Sequence, residues 1–271
     1  MLTKDERALR APRAWFNGVG DSQRGKARAK NQDAILLEPD LGLYAVFDGM
    51  GGARAGEVAA QLARETLLRF VAKHFASRRY TPPKLLEAAI DAAATVVFTA
   101  ANEDEERQGM GTTVVACLVV DPRRVVLGYA GDSRAYVLRD GRLQLLTRDH
   151  TVVQRLIDAG SLPVEQAAES PYRSLLTRNL GMEKGVEPEM LEQAVNPGDR
   201  LLLCSDGLHD RASVEDLQRV LMSTAKSEEV VHDLIELALY GGGTDDISAI
   251  VLDVPDVGVP AARIRARAAT E

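Results

Sequence analysis

The chain has 271 residues, 45% of them hydrophobic and 27% charged, with a formal net charge of −7 and a pI near 5.3. These proportions belong to a globular protein large enough for a substantial core. The acidic balance argues against a surface built for nucleic acid or an anionic membrane, so any chemistry on phosphate needs local positive charge from cations or a few arginines.

The opening residues, MLTKDERALRAPRAW, lack the apolar stretch of a secretory signal. No apolar run approaches the ~18–20 residues that span a bilayer, and a cytoplasmic location without membrane attachment is expected. Residues 1–14 and 255–271 read as loose ends around one domain with its core over 15–254. Two helices are predicted first. Residues 54–76 carry Ala59, Leu62, Ala63, Thr66, Phe70 and Val71, and residues 83–101 carry Leu86, Ala89, Ile90, Ala93, Val97 and Ala100, at three- and four-residue spacing. Strand-like runs are AILLE and LGLYAVF before these helices, then TTVVACLVV, VVLGYA, RAYVLR, RLQLLT, RLLLC and ISAIVLDV after them. Several are apolar at consecutive positions, which predicts burial on both faces. Asp140-Gly141 predicts a two-residue hairpin. Ser213 and Ser227 read as N-caps of two later helices. This block order predicts an α+β protein, two antiparallel sheets packed face to face with helix pairs outside.

Asp33 opens AILL, Asp48 closes LYAVF before Gly49, Asp206 follows LLLC-Ser before Gly207, and Asp245 precedes the last strand. Carboxylates at strand ends are held rigidly yet stay open to solvent, and glycine lets backbone approach a bound group. One Asp-Gly pair after a strand is usually only a turn. Four strand-end aspartates beside Asp48-Gly-Met-Gly-Gly52 and an Asp132-Ser-Arg134 turn point to a site for hard cations, Mg²⁺ or Mn²⁺ rather than zinc.

The motifs Arg28-Ala-Lys-Asn-Gln-Asp33, VFDGMGGARAGE, GTT at 111–113, GDSRAYVLRDG, TRDHT, SPYRSLLTRNLG, GDRLLLCSDGL and GGTDDISAIVLD run collinearly through residues 18–253. In this order they closely resemble the metal-dependent type 2C Ser/Thr protein phosphatases in their bacterial form. The resemblance implies a β-sandwich flanked by pairs of antiparallel helices, agreeing with the block reading. It also implies hydrolysis of phosphoserine and phosphothreonine by in-line attack of a water bridging two Mn²⁺ or Mg²⁺ ions, without a covalent phosphoenzyme. By the same resemblance Asp48 bridges the two ions with help from the Gly49 carbonyl. Asp206 and Asp245 complete one shell, Asp33 acts through waters, and Asp132 helps Asp206 hold a weaker third ion. Arg28 would grip the phosphoryl group, as a bidentate guanidinium suits its oxygens. Residues 150–175 would form a mobile flap. Phosphorylated proteins, targets of a bacterial kinase or the kinase itself, are the expected partners of a monomer.

The chain departs from that pattern in four places. Gln32 stands where many members have Glu, predicting weaker cation affinity. Met50 and Ala53 replace histidines found in eukaryotic and bacterial members, so the leaving group is expected to take its proton from metal-bound water. Asp246 replaces Asn and either adds charge to the cation site or faces solvent. Two motifs are decoys: Cys117 and Arg123 have Cys-x5-Arg spacing but lie in an apolar run, and Gly20 to Ala27 nearly spells a P-loop but lacks the metal-binding hydroxyl. Cys117 and Cys204 read as inert buried thiols. His74 and His232 read as helix residues and His150 as a structural hydrogen-bonding group. The rival functions are a catalytically weak phosphoprotein-binding scaffold and a phosphatase of small metabolites.

Overall fold

The computed structural model describes residues 15–255 except Arg78, with only the backbone of residues 52–54 and 168. The termini read as loose, apart from Pro255, and the side chain of Ala53 therefore lie outside the described residues. The strands are β1 (Asn17–Gln23), β2 (Ala34–Glu38), β3 (Leu43–Phe47), β4 (Gly49–Met50), β5 (Gly111–Thr112), β6 (Val114–Asp121), β7 (Arg124–Ala130), β8 (Arg134–Arg139), β9 (Arg142–Leu145), β10 (Glu189–Ala194), β11 (Arg200–Cys204) and β12 (Ile247–Asp253). The helices are α1 (Gly52–His74), α2 (Pro82–Glu103), α3 (Val152–Asp158), α4 (Asp206–His209), α5 (Val214–Leu221) and α6 (Ser227–Tyr240).

One antiparallel sheet has the order β1-β12-β11-β8-β9 and the other β10-β7-β6-β3-β2, with β4 and β5 a short ladder beside them. The consecutive apolar residues are explained by the pleat. Leu43, Ala45 and Phe47 of β3 and Val114, Ala116 and Leu118 of β6 face α1 and α2. Their neighbours Tyr44, Val46, Val115, Cys117 and Val119 face the sandwich interior, where they meet Leu201, Leu203, Ile250 and Leu252. The other side of β11 and β12, with Leu202, Cys204, Ala249 and Val251, packs on Leu217, Val231, Leu234 and Ile235 of α5 and α6. Each inner strand is thus buried on both faces, and the layers run helix, sheet, sheet, helix, as expected.

The Asp140-Gly141 turn has φ of 49° and 73° and joins Arg139 to its partner Arg142. Ser213 caps α5 by accepting from the Asp216 amide at 3.1 Å. Three expectations are corrected. Ser227 is the first residue of α6, not its cap; its buried hydroxyl is bonded to the Asp253 carboxylate, and Lys226 occupies the cap position. The strands β1 and β10 were not foreseen, β1 because it is polar and glycine-rich and β10 because it is a polar strand at a sheet edge. Finally, α2 is 22 residues long with a hydropathy of 1.3, enough to cross a membrane by length and composition, though Leu86, Ile90, Ala93 and Val97 are buried in the core instead.

Candidate active site

The strand register sets the site. Ala34 pairs with Phe47, so Asp33, one residue before, and Asp48, one residue after, leave the same end of one sheet. Cys204 pairs with both Arg134 and Ala249, so Asp132, Asp206 and Asp245 leave the corresponding end of the other sheet or the connection into it. They meet in a cleft of about 540 Å³ walled by Asp48, Asp132, Asp206, Asp245 and Arg28, with Ser174 of the expected flap and Leu176 just beyond it on its rim. Asp33 stands behind this wall and is 7% exposed. A second groove of about 660 Å³ lies elsewhere, between residues 79–91 and 186–188. Its Lys84 is already paired with Glu87 at 2.6 Å.

Backbone hydrogen bonds fix Asp48. Its N–H donates to Thr113 Oγ1 at 3.0 Å, and its carbonyl accepts from the Thr113 amide and the Thr112 hydroxyl, both at 2.9 Å. Thr113 Oγ1 lies 2.6 Å from Ser133 Oγ, tying Asp48 to the Asp132 turn. Asp33 is oriented through one oxygen, Oδ2, which accepts from Ser205 at 2.8 Å and Ser248 at 2.7 Å. Asp206 begins α4, and His209 at the far end of that turn lies 3.0 Å through Nε2 from the Asp132 carbonyl oxygen. None of these roles for Thr112, Thr113, Ser133, Ser205, Ser248 or His209 was foreseen. The GTT, GDSR and SDG motifs were the available signal.

The carboxylates resist ionising together. Burial pushes Asp33 up to about 7, against the pull of the Ser248 and Ser205 hydroxyls, with Asp206 and Asp246 adding repulsion. Burial followed by repulsion from Asp206 puts Asp132 at about 7 as well. Asp48 is raised well above the usual carboxylate range by burial and by Asp206, Asp33 and Asp132. Burial also raises Asp206, with the His209 charge opposing. Such a cluster calls for counter-charge. Asp206 Oδ1 is buried and has no hydrogen-bond partner. Among the described residues no three His, Cys, Asp or Glu side chains close on a point tightly enough to hold an ion unaided. Hard cations that keep waters and accept carbonyl oxygens, such as the Gly49 carbonyl, fit this donor set.

Arg28 faces the cleft from loop 25–32. Its Nε and one terminal nitrogen each donate to Asp245 at 2.7 Å, and that hydrogen bonding raises its pKa against the effect of partial burial. Asp246 does not face solvent, one of the two alternatives drawn from sequence, and its charge is felt at Asp33 and Arg28. It is 2% exposed, and its carboxylate accepts from the Gly25 amide at 2.9 Å and the Gln32 amide at 2.8 Å.

A family description named protein phosphatase 2C matches residues 19–237. The chain belongs to the protein phosphatase 2C family. It is 40% identical over 235 residues to the serine/threonine protein phosphatase PstP of Mycobacterium tuberculosis, covering 87% of this chain and 44% of PstP, so it spans less than half of that relative. It is 30% identical over 243 residues to the serine/threonine phosphatase stp of Listeria monocytogenes, covering 86% of this chain and 93% of stp. The crystal structure of the PstP catalytic domain in complex with two manganese ions superposes with a TM-score of 0.79 at 38% identity, over 89% of this chain and 99% of that one.

Within this protein phosphatase 2C fold the decoys fall away. Gly20 lies in β1, hydrogen-bonded as a strand opposite Ile250, which leaves no phosphate-cradling loop there. Cys117 and Cys204 are fully buried in strands, and burial raises both thiols, Cys204 to about 12. His150 stacks on Tyr129, accepts from the Gly131 amide at 3.2 Å and lies 3.2 Å from Glu189.

Proposed function

We propose that the chain is a cation-dependent phosphatase of phosphoserine and phosphothreonine in proteins. The observation that carries this reading is the buried, partnerless Asp206 Oδ1 amid carboxylates whose ionisation is suppressed by burial and by one another. Asp48, Asp206, Asp245 and the Gly49 carbonyl, with Asp33 through waters, would hold two Mn²⁺ or Mg²⁺ ions, and Asp132 with Asp206 a weaker third. Bound cations neutralise phosphoryl oxygens and make a water acidic enough to attack at neutral pH. The side chains do the rest. Thr113, Ser205 and Ser248 hold Asp48 and Asp33 in place. Arg28 turns from Asp245 to the phosphoryl oxygens, matching them with paired N–H donors. Neither thiol serves as a covalent nucleophile, since both are buried and protonated. Met50, on the cleft wall, has no proton to give, so the leaving oxygen draws its proton from water.

The substrates would be proteins phosphorylated by a bacterial Ser/Thr kinase, or that kinase, met by a monomer in the cytoplasm. The test is release of phosphate from a phosphothreonine peptide by purified protein, with added Mn²⁺ and after EDTA. Turnover with Mn²⁺ and none after EDTA is expected. Turnover that ignores EDTA, or activity confined to free phosphometabolites, overturns the reading.

A further inference from the structure

Loop 25–32, which carries Arg28, has no helix or strand to hold it. Its two ends are instead fastened by a single side chain: Asp246 Oδ1 accepts from the Gly25 amide at 2.9 Å and Oδ2 from the Gln32 amide at 2.8 Å. We propose that Asp246 is a positioning residue, whose carboxylate closes the Arg28 loop at both ends and so sets where the guanidinium stands. This rests on the reading of Arg28 as the phosphoryl contact.

The staple is built on a rigid base. Asp246 sits just before β12, beside Asp245. A Cβ on Gly25 would lie 2.2 Å from the Asp245 carbonyl oxygen, and one on Gly207 would lie 2.0 Å from the Asp246 carbonyl oxygen. The 245–246 backbone is therefore wedged between the Arg28 loop and the turn that presents Asp206, and has no room to slide. Lys26 adds a backbone bond to the Gly243 carbonyl at 2.7 Å, and its ammonium group donates to the Leu239 carbonyl at 2.6 Å. With both oxygens committed to amides and 2% exposure, Asp246 has no face left for a cation.

Chemistry explains why an acid stands where the family resemblance expects Asn. Both atoms meet N–H donors, and a carboxylate offers two acceptors, whereas an amide offers one acceptor and would turn its NH₂ toward a second donor. Asn at this position therefore releases one end of the loop. In Asp246→Asn the Gly25 or the Gln32 amide should lose protection from hydrogen exchange, read by NMR on ¹⁵N-labelled protein. KM for a phosphothreonine peptide should rise about two- to tenfold, the worth of one buried hydrogen bond, with a smaller change in Mn²⁺ affinity. Asp246→Glu, which keeps the charge but shifts both acceptors by a methylene, should raise KM as well. In an Arg28→Ala background neither substitution should change KM further.

Full protection of both amides in Asp246→Asn overturns the staple, whether or not the protein is a phosphatase. A KM unchanged in both single variants, an equal KM effect with Arg28 absent, or a matching loss of Mn²⁺ affinity overturns the positioning role. Absence of turnover in the unaltered protein overturns the phosphatase reading and leaves the exchange result to decide the staple.

Discussion

Arg28 and Asp245 form a two-pronged ion pair across the mouth of the cleft, each prong 2.7 Å long. The side chain read as the phosphoryl contact is thus parked on one read as a cation ligand. Both are partly exposed, at 42% and 34%, so the pair is screened and readily exchanged for another partner. Arg28→Ala should therefore raise KM for phosphopeptide with a smaller effect on kcat, while Mn²⁺ affinity holds or tightens because a competitor for Asp245 is gone. Steady-state kinetics with calorimetric Mn²⁺ titration checks this; a loss of Mn²⁺ affinity contradicts it.

Asp206→Asn keeps the shape of the side chain and removes one of several mutually repelling charges. The metal-free variant should melt at a higher temperature than the unaltered protein, while losing both the rise in Tm on adding Mn²⁺ and more than about 10²-fold in kcat. Scanning calorimetry with and without Mn²⁺, alongside the peptide assay, reads both. Near-full turnover would remove Asp206 from the site.

The metal-free protein should also be more stable in mild acid. Asp33 and Asp132 stand at about 7 in the folded chain against an ordinary value of 3.8. Between those values the folded chain binds more protons than the unfolded one, so the stabilisation is complete below about pH 4 and is lost as pH rises through about 7. Tm without metal should fall between about pH 5.5 and 7.5, and Mn²⁺, which binds the ionised carboxylates and releases their protons, should flatten that fall. A metal-free Tm that climbs over the same interval contradicts the burial of these charges.

Ser248→Ala removes one of the two hydroxyls that orient Asp33, and Ser205→Ala the other. Outer residues of this kind change metal affinity by roughly 10- to 100-fold. Each variant should weaken Mn²⁺ binding, measured by the paramagnetic signal of free Mn²⁺, with little change in the circular dichroism spectrum. Unchanged affinity in both would mean that Asp33 needs no such support.

The strands with apolar residues on both faces and the Asp140-Gly141 turn were legible because each is governed by short-range rules. The aspartates were legible as a group because they recur at strand ends, two of them directly followed by glycine. Strand β1 was not, since its Gly18 is set by a distant ring: a Cβ there would lie 2.3 Å from Tyr44. Ser227 was misread because the Asp253 carboxylate, far along the chain, claims its hydroxyl. Asp246 was undecidable for the same reason, as its two amide partners lie more than two hundred residues upstream. Hydrogen bonds between remote segments leave no periodicity to read.

The acidic groups come from both halves of the sandwich, Asp33 and Asp48 from the rim of one sheet, Asp206 and Asp245 from the rim of the other. A cation held between the two rims would rivet two plates together. Any shear of one plate over the other opens the jaws of that rivet, so warming that loosens the sandwich also loosens its ions. Cofactor loading and stiffness would then be one property, rising and falling together.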